Sequence, residues 1–415
     1  MRISLLCAVA AATLAAAPPE HVTMDRAVSQ ALANNAALLA ERANIAIADA
    51  QVLTAGLRPN PVVAFAGDHM DLLGSGFNDS NGGGPTEAVA SFEFTRERGG
   101  KRQSRVEVAR AARSVAELRF LDAARTLVLD VQNGFVDVLL ARDTLELARE
   151  HAGFFRQIVK INEIRVQSGD LSRVELIRSQ LAALQYETSV RQSEMRVRAA
   201  LTRLQTLMGR KPSPGFAVAG DLDRKDALPL IDELQREARE HRPDLLALRR
   251  DAQRASSEVR LQLANSKPDL TLGTEYRRQQ VNARSNSLTV SVGIPLQLFN
   301  RNQGEIERAR QEQRQAELRI QALEAEVAGQ VETAYQQFLA ARGLLETIRS
   351  GMLRQAREVR EITEFSYRRG QSSLLELLDA QRAFNETIQG YLEARAEYAR
   401  ALYLIDSTSG KAVNQ

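Results

Sequence analysis

YRRGQSSLLELLDAQR, residues 367–382, sets a single glycine between two long helical patterns. An earlier segment, VQSGDLSRVELIRSQL at 166–181, matches it at an offset of 201 residues. The matched pairs are Gly169 with Gly370, Ser172 with Ser373, Glu175 with Glu376 and Gln180 with Gln381. Glycine ends a helix readily because it adopts left-handed backbone angles without steric cost. A helix-breaking tip repeated half a chain later predicts a duplicated helical hairpin.

The helical pattern that leads into the first tip has the spacing of a coiled-coil seam. From Leu121 to Leu145 the seam positions alternate in steps of three and four, with Arg142 among them. Part of this stretch recurs in the second half at an offset of 200 residues, where Val331 and Leu339 repeat Val131 and Leu139. The pattern predicts long helices on both sides of each tip.

Each half of the chain shows the same predicted order of helix, strand, strand, long helix, tip and helix. The first helices are predicted over 23–57 and 230–266, and the strands over 61–70, 88–95, 269–278 and 287–298. Prolines such as Pro59 and Pro268 end the helices that precede the strands. The predicted division is a signal peptide over 1–17, a first repeat over 18–209, a linker over 210–229, a second repeat over 230–408 and a tail over 409–415.

Composition favours long helices. The 415 residues include no Trp, only 5% are aromatic, and the net charge is +3. Acidic and basic residues are interleaved along the helical patterns, which is typical of solvated helix faces. Basic patches with interleaved aromatic residues are lacking in the sequence, so a nucleic-acid partner is not expected.

The N-terminus predicts export. Residues 1–17, MRISLLCAVAAATLAAA, combine one Arg, an apolar run and an Ala-x-Ala ending, as a secretory signal peptide does. Cleavage near Ala17 would remove Cys7, the only cysteine, so no disulfide or thiolate ligand is expected in the mature protein. No later segment has about 18 uncharged apolar residues. If the exported chain crosses a membrane, it is expected to do so as β-strands.

The four strands predict an oligomer. The last strand alternates apolar and other residues, with Leu288, Val290, Val292, Ile294 and Leu296 on one face. A membrane tolerates no open sheet edge, and transmembrane barrels have about eight strands or more. Three chains of four strands could close a 12-stranded β-barrel. A small soluble sheet that caps the helices is the alternative.

The pattern of the long helices predicts a barrel wall around a water-filled interior. Their apolar seams are narrow and rich in Ala, Gln, Thr and Ser, which suits helices that contact two neighbours and face water on both sides. The predicted fold class is therefore mainly α with a small membrane β part, in which a trimer sets the β-barrel on a long α-helical barrel. A fibrous coiled coil is the alternative, and the proline-bounded strands argue against it.

These residues resemble those of the TolC-type outer membrane efflux proteins over roughly 23–408. The second tip, Y-x-x-G-x-x-S-x-x-E-L-L-D-A-Q from Tyr367 to Gln381, carries most of the resemblance. The segment ERGGKR at 97–102 is similar to the heavy-metal branch, the cobalt-zinc-cadmium resistance outer membrane components. The resemblance implies a homotrimer in the bacterial outer membrane, in contact with its lipid, with the helical barrel in the periplasm.

The resemblance also implies roles for the tips. The tips of a periplasmic membrane fusion protein, the adaptor, would contact Gly169, Asp170, Leu171 and Ser172 in the first half and Gly370, Gln371, Ser372 and Ser373 in the second. Acidic rings at a closed pore entrance would fall on Glu376 and Asp379, with Glu175 matching in the first half. Arg178 stands where a fourth acid would be expected. The alternative is that these acidic residues are ordinary solvated charges on a helix.

Enzymatic chemistry is not indicated. The four histidines, at 21, 69, 151 and 241, have no second His, Cys or acidic cluster at metal-ligand spacing. The glycine run at 82–84 lacks the lysine of a phosphate-binding loop. No catalytic, cofactor-binding or metal-binding residue is expected.

Three functions remain open from the sequence. The first is the passive exit duct of a tripartite pump that expels divalent heavy-metal cations, driven by an inner-membrane resistance-nodulation-division (RND) transporter. The second is an outer-membrane channel for drug efflux or type I secretion. The third is a periplasmic coiled-coil scaffold, which the apolar face of the last strand argues against.

Overall fold

The computed structural model describes residues 20–68, 70, 74, 87–222, 230–280 and 284–411. The predicted signal peptide, His69, most of the loop that follows it, part of the linker and the last four residues of the tail lie outside these ranges. The chain divides into two compact units. The first takes the described parts of 1–39, 123–238 and 329–415, and the second takes those of 40–122 and 239–328.

The described chain is mostly helical, with six short strands. The helices are α1 (Met24–Asn34), α2 (Ala36–Ala55), α3 (Lys101–Gln167), α4 (Arg173–Leu207), α5 (Ile231–His241), α6 (Pro243–Asn265), α7 (Gln303–Thr347), α8 (Leu353–Arg368) and α9 (Leu374–Thr408). The strands are β1 (Glu20–Val22), β2 (Val62–Asp68), β3 (Glu87–Arg96), β4 (Phe216–Val218), β5 (Leu270–Gln280) and β6 (Arg284–Gly293). A π-helix, Ile348–Met352, joins α7 to α8. The predicted fold class, a duplicated helix, strand, strand and long-helix hairpin, is confirmed.

A four-stranded antiparallel sheet in the second unit has the order β2-β3-β5-β6. Residues paired directly across strands share a face. The register therefore collects apolar residues on one face, through the pairs Phe65 with Ala90, Ala90 with Tyr276, and Tyr276 with Leu288. Ser91, Glu275 and Thr289 are paired on the other face. The sheet is thus amphipathic, and β2 and β6 form its two edges.

The apolar face of this sheet is exposed in the single chain. Phe65 is 81% exposed and Leu288 is 72% exposed. In water, each such side chain forgoes about 1.5–3 kcal/mol of burial free energy, so the face is suited to an apolar environment. None of the described helices is both long and apolar enough to span a membrane.

The first unit has a helical core and a small parallel sheet. The α3 seam is buried at Val131, Phe135 and Val138, as its heptad spacing predicts. β1 pairs in parallel with β4, and Glu20 lies opposite Phe216. This two-stranded sheet was not predicted from the sequence, because three-residue strands give too short a pattern to recognise.

Several predicted elements end earlier or are divided. The helix predicted over 23–57 breaks at Asn35, whose Oδ1 accepts from the Leu38 amide (3.1 Å) and whose Nδ2 donates to the Leu207 carbonyl (2.9 Å). The helix predicted over 230–266 breaks before Pro243, where proline begins a new helix. β6 ends at Gly293, so Ile294 and Leu296 lie outside the strand. Pro295 has no amide to extend the ladder.

The π-helix explains why the two copies align at two different offsets. The offset is 200 residues on the seam upstream and 201 at the tip, so the second copy holds one additional residue. The corresponding part of the first copy lies inside the uninterrupted helix α3. A π-helix takes five residues per hydrogen-bonded turn instead of four. Ile348–Met352 therefore absorbs the extra residue and keeps the flanking helices in register.

Candidate functional site

Both hairpin tips are built from the same turn. Gly169 has φ of 84° and Gly370 has φ of 76°, the left-handed angles that side chains with a Cβ rarely adopt. The Asp170 amide donates to the Arg165 carbonyl, and the Gln371 amide to the Ser366 carbonyl, each at 2.8 Å. This six-to-one hydrogen bond is the Schellman motif that ends a helix. The duplication is therefore preserved at the level of backbone geometry.

The helix that follows each tip begins with a serine cap. Ser172 Oγ accepts from the Glu175 amide at 3.3 Å, and Ser373 Oγ accepts from the Glu376 amide at 3.2 Å. In the second tip, Glu376 Oε2 also accepts from the Ser373 amide at 2.8 Å, which completes a capping box. The spacing of these residues in the two repeats pairs them, but their capping role was not predicted from the sequence.

Most of the predicted adaptor-contacting residues lie on the outside of the tips. Gly169, Asp170 and Ser172 are exposed in the first tip, and Leu171 is half-buried. Gly370, Gln371 and Ser373 are exposed in the second tip, and Ser372 is half-buried. The Ser372 hydroxyl donates to the Thr363 carbonyl at 3.3 Å. The outer surface of the tips therefore consists largely of backbone and small polar groups.

Arg165 joins the two tips within one chain. Its guanidinium donates to the Tyr367 carbonyl at 3.4 Å and lies 5.5 Å from the centre of the Tyr367 ring. The Tyr367 hydroxyl donates to Asn162 Oδ1, and both side chains are buried. Burial raises the pKa of Tyr367 above its ordinary value, and the hydrogen bond to Asn162 opposes that rise. The two tips thus form one packed structure.

The predicted acidic residues differ in their surroundings. Glu376 and Asp379 are both exposed and lie on one side of α9, three residues apart. Glu376 serves the capping box, whereas Asp379 has no ion-pair or hydrogen-bond partner in the described part of the chain. Glu175 is half-buried, with its carboxylate 3.5 Å from the Ser172 hydroxyl. Asp379 is therefore the acid of this set that is free to interact with ions.

A buried polar cluster, not predicted from the sequence, lies further along the same helices. His151 on α3 accepts at Nδ1 from Gln381 Nε2 at 3.1 Å, which places its own proton on Nε2. Gln381 also donates to Asn385 at 2.8 Å, and Asn385 donates to the Tyr186 hydroxyl at 2.8 Å. The recurrence of Gln180 and Gln381 was a signal, but Gln180 is exposed and only Gln381 is buried.

Burial controls the charge of this cluster. Burial, helped by the nearby Arg360 guanidinium, lowers the pKa of His151 from 6.5 to about 4. The Nε2 atom of His151 has no hydrogen-bond partner among the described residues. A neutral imidazole is thus held between α3 and α9.

The ERGGKR segment at 97–102 is a structural joint beside the sheet. Lys101 Nζ lies 2.8 Å from Asp269 Oδ1, and the Arg98 amide donates to the same oxygen at 3.0 Å. Arg102 Nε donates to the Gly56 carbonyl at 2.6 Å. The segment therefore ties the start of α3 to the end of α2 and the start of β5.

No metal-binding cluster is found in the described part of the chain. A group of three or more His, Cys, Asp or Glu side chains able to hold a metal ion does not occur there. The features that stand out are the tips, the buried cluster and the amphipathic sheet.

Comparison with known proteins agrees with this geometry. The sequence model for outer membrane efflux proteins matches residues 27–210 and 234–410. The solved outer-membrane channel OprN superposes with a TM-score of 0.78 at 18% identity, covering 94% of this chain and 91% of that one.

Two named relatives extend the comparison. The cobalt-zinc-cadmium resistance protein CzcC of Cupriavidus metallidurans is 25% identical over 391 residues, covering 94% of this chain and 90% of CzcC. The pyoverdine export outer membrane protein OpmQ of Pseudomonas aeruginosa is 24% identical over 378 residues, covering 86% of this chain and 79% of OpmQ.

Proposed function

The chain belongs to the outer membrane efflux protein family, a family of channels and not of enzymes, and we propose that it is the outer-membrane duct of a tripartite pump for divalent heavy-metal cations. The cargo would be of the cobalt, zinc and cadmium type. An inner-membrane RND transporter would select the cargo and supply the energy, and a periplasmic adaptor would connect the two. The channel itself would be passive.

The amphipathic sheet is the observation that carries the membrane assignment. Its apolar face includes Phe65, Tyr276 and Leu288, all exposed in the single chain. Its edges, β2 and β6, are unpaired within the described part of the chain. Open edges are costly in lipid because backbone groups there lack hydrogen-bond partners. Three copies joined edge to edge would supply twelve strands and remove every edge.

The helices of the first unit support assembly of several copies. α4 carries an exposed seam at Val174, Ile177, Leu181 and Leu184, with heptad spacing. α8 carries exposed Val359 and Ile362, and exposed Met352, the last residue of the π-helix before it, lies on the same side. Both stripes lack a partner within the described chain, and a homotrimer would let one chain's α4 pack against the α8 of the next. The helices would then lie in the periplasm, below the outer membrane.

The tips would serve as the docking and gating end. Exposed Gly169, Asp170, Gly370 and Gln371 would contact the adaptor. Asp379, which has no partner among the described residues, would supply the principal acidic ring of a trimer. Glu376 would contribute a second ring while it caps α9, and Glu175 would lie near the first tip. Clustered carboxylates in a constriction attract cations.

The metal cargo rests on the similarity to CzcC, whose name states cobalt-zinc-cadmium resistance. A second candidate, export of a small organic molecule, is favoured by the similarity to OpmQ. The periplasmic scaffold is disfavoured, because in a soluble protein the apolar face of the sheet would remain exposed to water.

Growth of a deletion strain on Zn, Co, Cd, Ni, Cu and Ag salts and on hydrophobic drugs separates these candidates. Sensitivity confined to one or two cations supports the metal cargo. Sensitivity to drugs alone would reject the metal cargo and leave the channel architecture intact. Planar-bilayer conductance of Glu376→Lys with Asp379→Lys tests the acidic rings. Unchanged cation selectivity in that variant would reject them.

A further inference from the structure

A cavity of about 740 Å³ in the second unit is lined by side chains from α2, α3, α6 and α7. Arg119, Arg254 and Arg319 line it together with two carboxylates, Glu41 and Asp251. A second cavity of about 400 Å³ shares Asp251, Arg254 and Arg319 with it. Small-molecule sites usually occupy about 300–1,000 Å³. The cavity is therefore large enough for an organic anion, and its lining is rich in guanidinium groups.

The lining charges do not cancel. Arg254 is paired with Asp251 at 2.7 Å, so these two neutralise each other. Glu41 accepts a hydrogen bond from the neutral Asn44 amide at 3.0 Å. Arg119 and Arg319 have neither a carboxylate nor a hydrogen-bond partner within the described ranges. The cavity thus keeps two guanidinium groups against one unpaired carboxylate.

Several other arginines on the same two helices, though not all of them, are paired. Arg113 on α3 binds Asp49 and Glu117, and Arg308 on α7 binds Glu305 and Glu312. The two unpaired arginines at the cavity end the same tetrapeptide, AELR, at 116–119 and 316–319, at the offset of 200 residues. The duplication therefore brings two equivalent guanidinium groups to one cavity, on two different helices.

We propose that this cavity binds a multivalent oxyanion, such as a small polycarboxylate or a phosphate, between Arg119 and Arg319. A guanidinium presents a planar fork of donors that matches carboxylate and phosphate oxygens, and two forks favour an anion with more than one charge. A divalent cation is disfavoured there by three guanidinium groups. The site is thus separate from the acidic tips and does not depend on the metal cargo.

Isothermal titration calorimetry on the purified full-length channel tests the site. Citrate and inorganic phosphate are titrated in separate runs at one fixed ionic strength, because surface electrostatics weaken with salt. We expect saturable binding of at least one anion, and the two runs tell which oxyanion class the site takes. In the double variant Arg119→Gln with Arg319→Gln, the dissociation constant should rise by about tenfold or more, since charge-assisted hydrogen bonds are lost.

Arg314→Gln is the matched control, because Arg314 is an exposed arginine on α7 outside both cavities. Its affinity should equal that of the unchanged channel. Absence of saturable binding for both anions, or equal weakening in Arg314→Gln, would overturn the proposal. If the double variant fails to fold, Arg119→Lys and Arg319→Lys keep the charge but lose the fork. Each lysine variant should then bind the anion several-fold more weakly, and an unchanged affinity for the anion in both variants would overturn the proposal.

Discussion

The Tyr367 hydroxyl on α8 donates a hydrogen bond to the Asn162 side-chain oxygen on α3, and neither residue is more than 1% exposed. Ile158, Leu374 and Leu377 surround the Tyr367 ring. Three helices, contributed by the two sequence repeats of one chain, thus meet around one polar contact. The Asn162 amide nitrogen has no partner of its own among the described residues, so its carbonyl oxygen is the satisfied part of that side chain.

Replacing Tyr367 by Phe should lower the free energy of unfolding by about 1–3 kcal/mol, because a buried acceptor on Asn162 then loses its donor. The aromatic ring and its packing are retained, so the loss in the free energy of unfolding measures the contribution of the hydrogen bond. Chemical denaturation followed by circular dichroism measures the change. Tyr398→Phe is the control, since Tyr398 packs beside Phe338 and its hydroxyl has no hydrogen-bond partner among the described residues. Equal losses in both variants would contradict the role given to Asn162.

The capping serines should contribute comparable stability to the two tips. Ser172→Ala and Ser373→Ala are each expected to cost about 1 kcal/mol, because each removes the acceptor for a helix amide. Glu376→Gln should be nearly neutral in stability, since glutamine can complete the capping box, whereas Glu376→Ala should not. Thermal unfolding of the four variants checks this. If Glu376→Gln lowers cation conductance without lowering stability, capping and ion attraction are two separate roles of one residue.

His151 should make stability depend on pH. Its pKa is about 4 in the folded chain and ordinarily 6.5, so the unfolded chain binds the proton first as pH falls. The free energy of unfolding should therefore be highest above pH 7 and decline between about pH 6.5 and 4, by roughly 2–3 kcal/mol. Denaturant titrations across this range measure the decline.

His151→Gln should remove much of that pH dependence, because glutamine has no proton to bind in this range. His241→Gln is the matched control, since His241 is exposed at the end of α5. The assignment fails if the pH dependence is the same in His151→Gln as in the unchanged protein.

The π-helix should tolerate a deletion that a plain helix does not. Deleting Gly351 removes the extra residue and lets Ile348–Met352 relax into an α-helix with both flanks in register, so we expect a loss below about 1–2 kcal/mol. Deleting Gly153 from uninterrupted α3 should rotate everything that follows it by about 100° relative to the preceding turns. Phe155 and Ile158, both buried, would then leave the core at about 1.5–3 kcal/mol each.

Proteolytic stability and thermal melting of the two deletion variants provide the comparison. Both glycines leave open space where a Cβ would be, so neither deletion removes a packed side chain. Equal damage from the two deletions would argue against the additional residue residing in the π-helix.

Periodicity and duplication were sufficient to predict the main elements. The heptad seam of α3 and the alternation in β6 are repeated over many residues, so small local exceptions do not obscure them. The break at Asn35 and the pairing of β1 with β4 depend on single side chains and three-residue contacts that no period reveals. The same holds for the residues of the candidate site. The spacing of the sequence repeat predicted the positions of Ser373 and Glu376, but only the fold brings His151 into contact with Gln381.

The pairing of Glu20 with Phe216 has a consequence for the time course of folding. A chain that is synthesised from its N-terminus delivers β1 before the first hairpin, and β4 only after the whole of that hairpin. Closing so long a loop costs entropy that local helix formation does not. We expect α3 and α4 to fold first, and β1 to remain a free strand until β4 arrives. Up to that moment its unpaired edge is available to any holding chaperone that recognises extended segments.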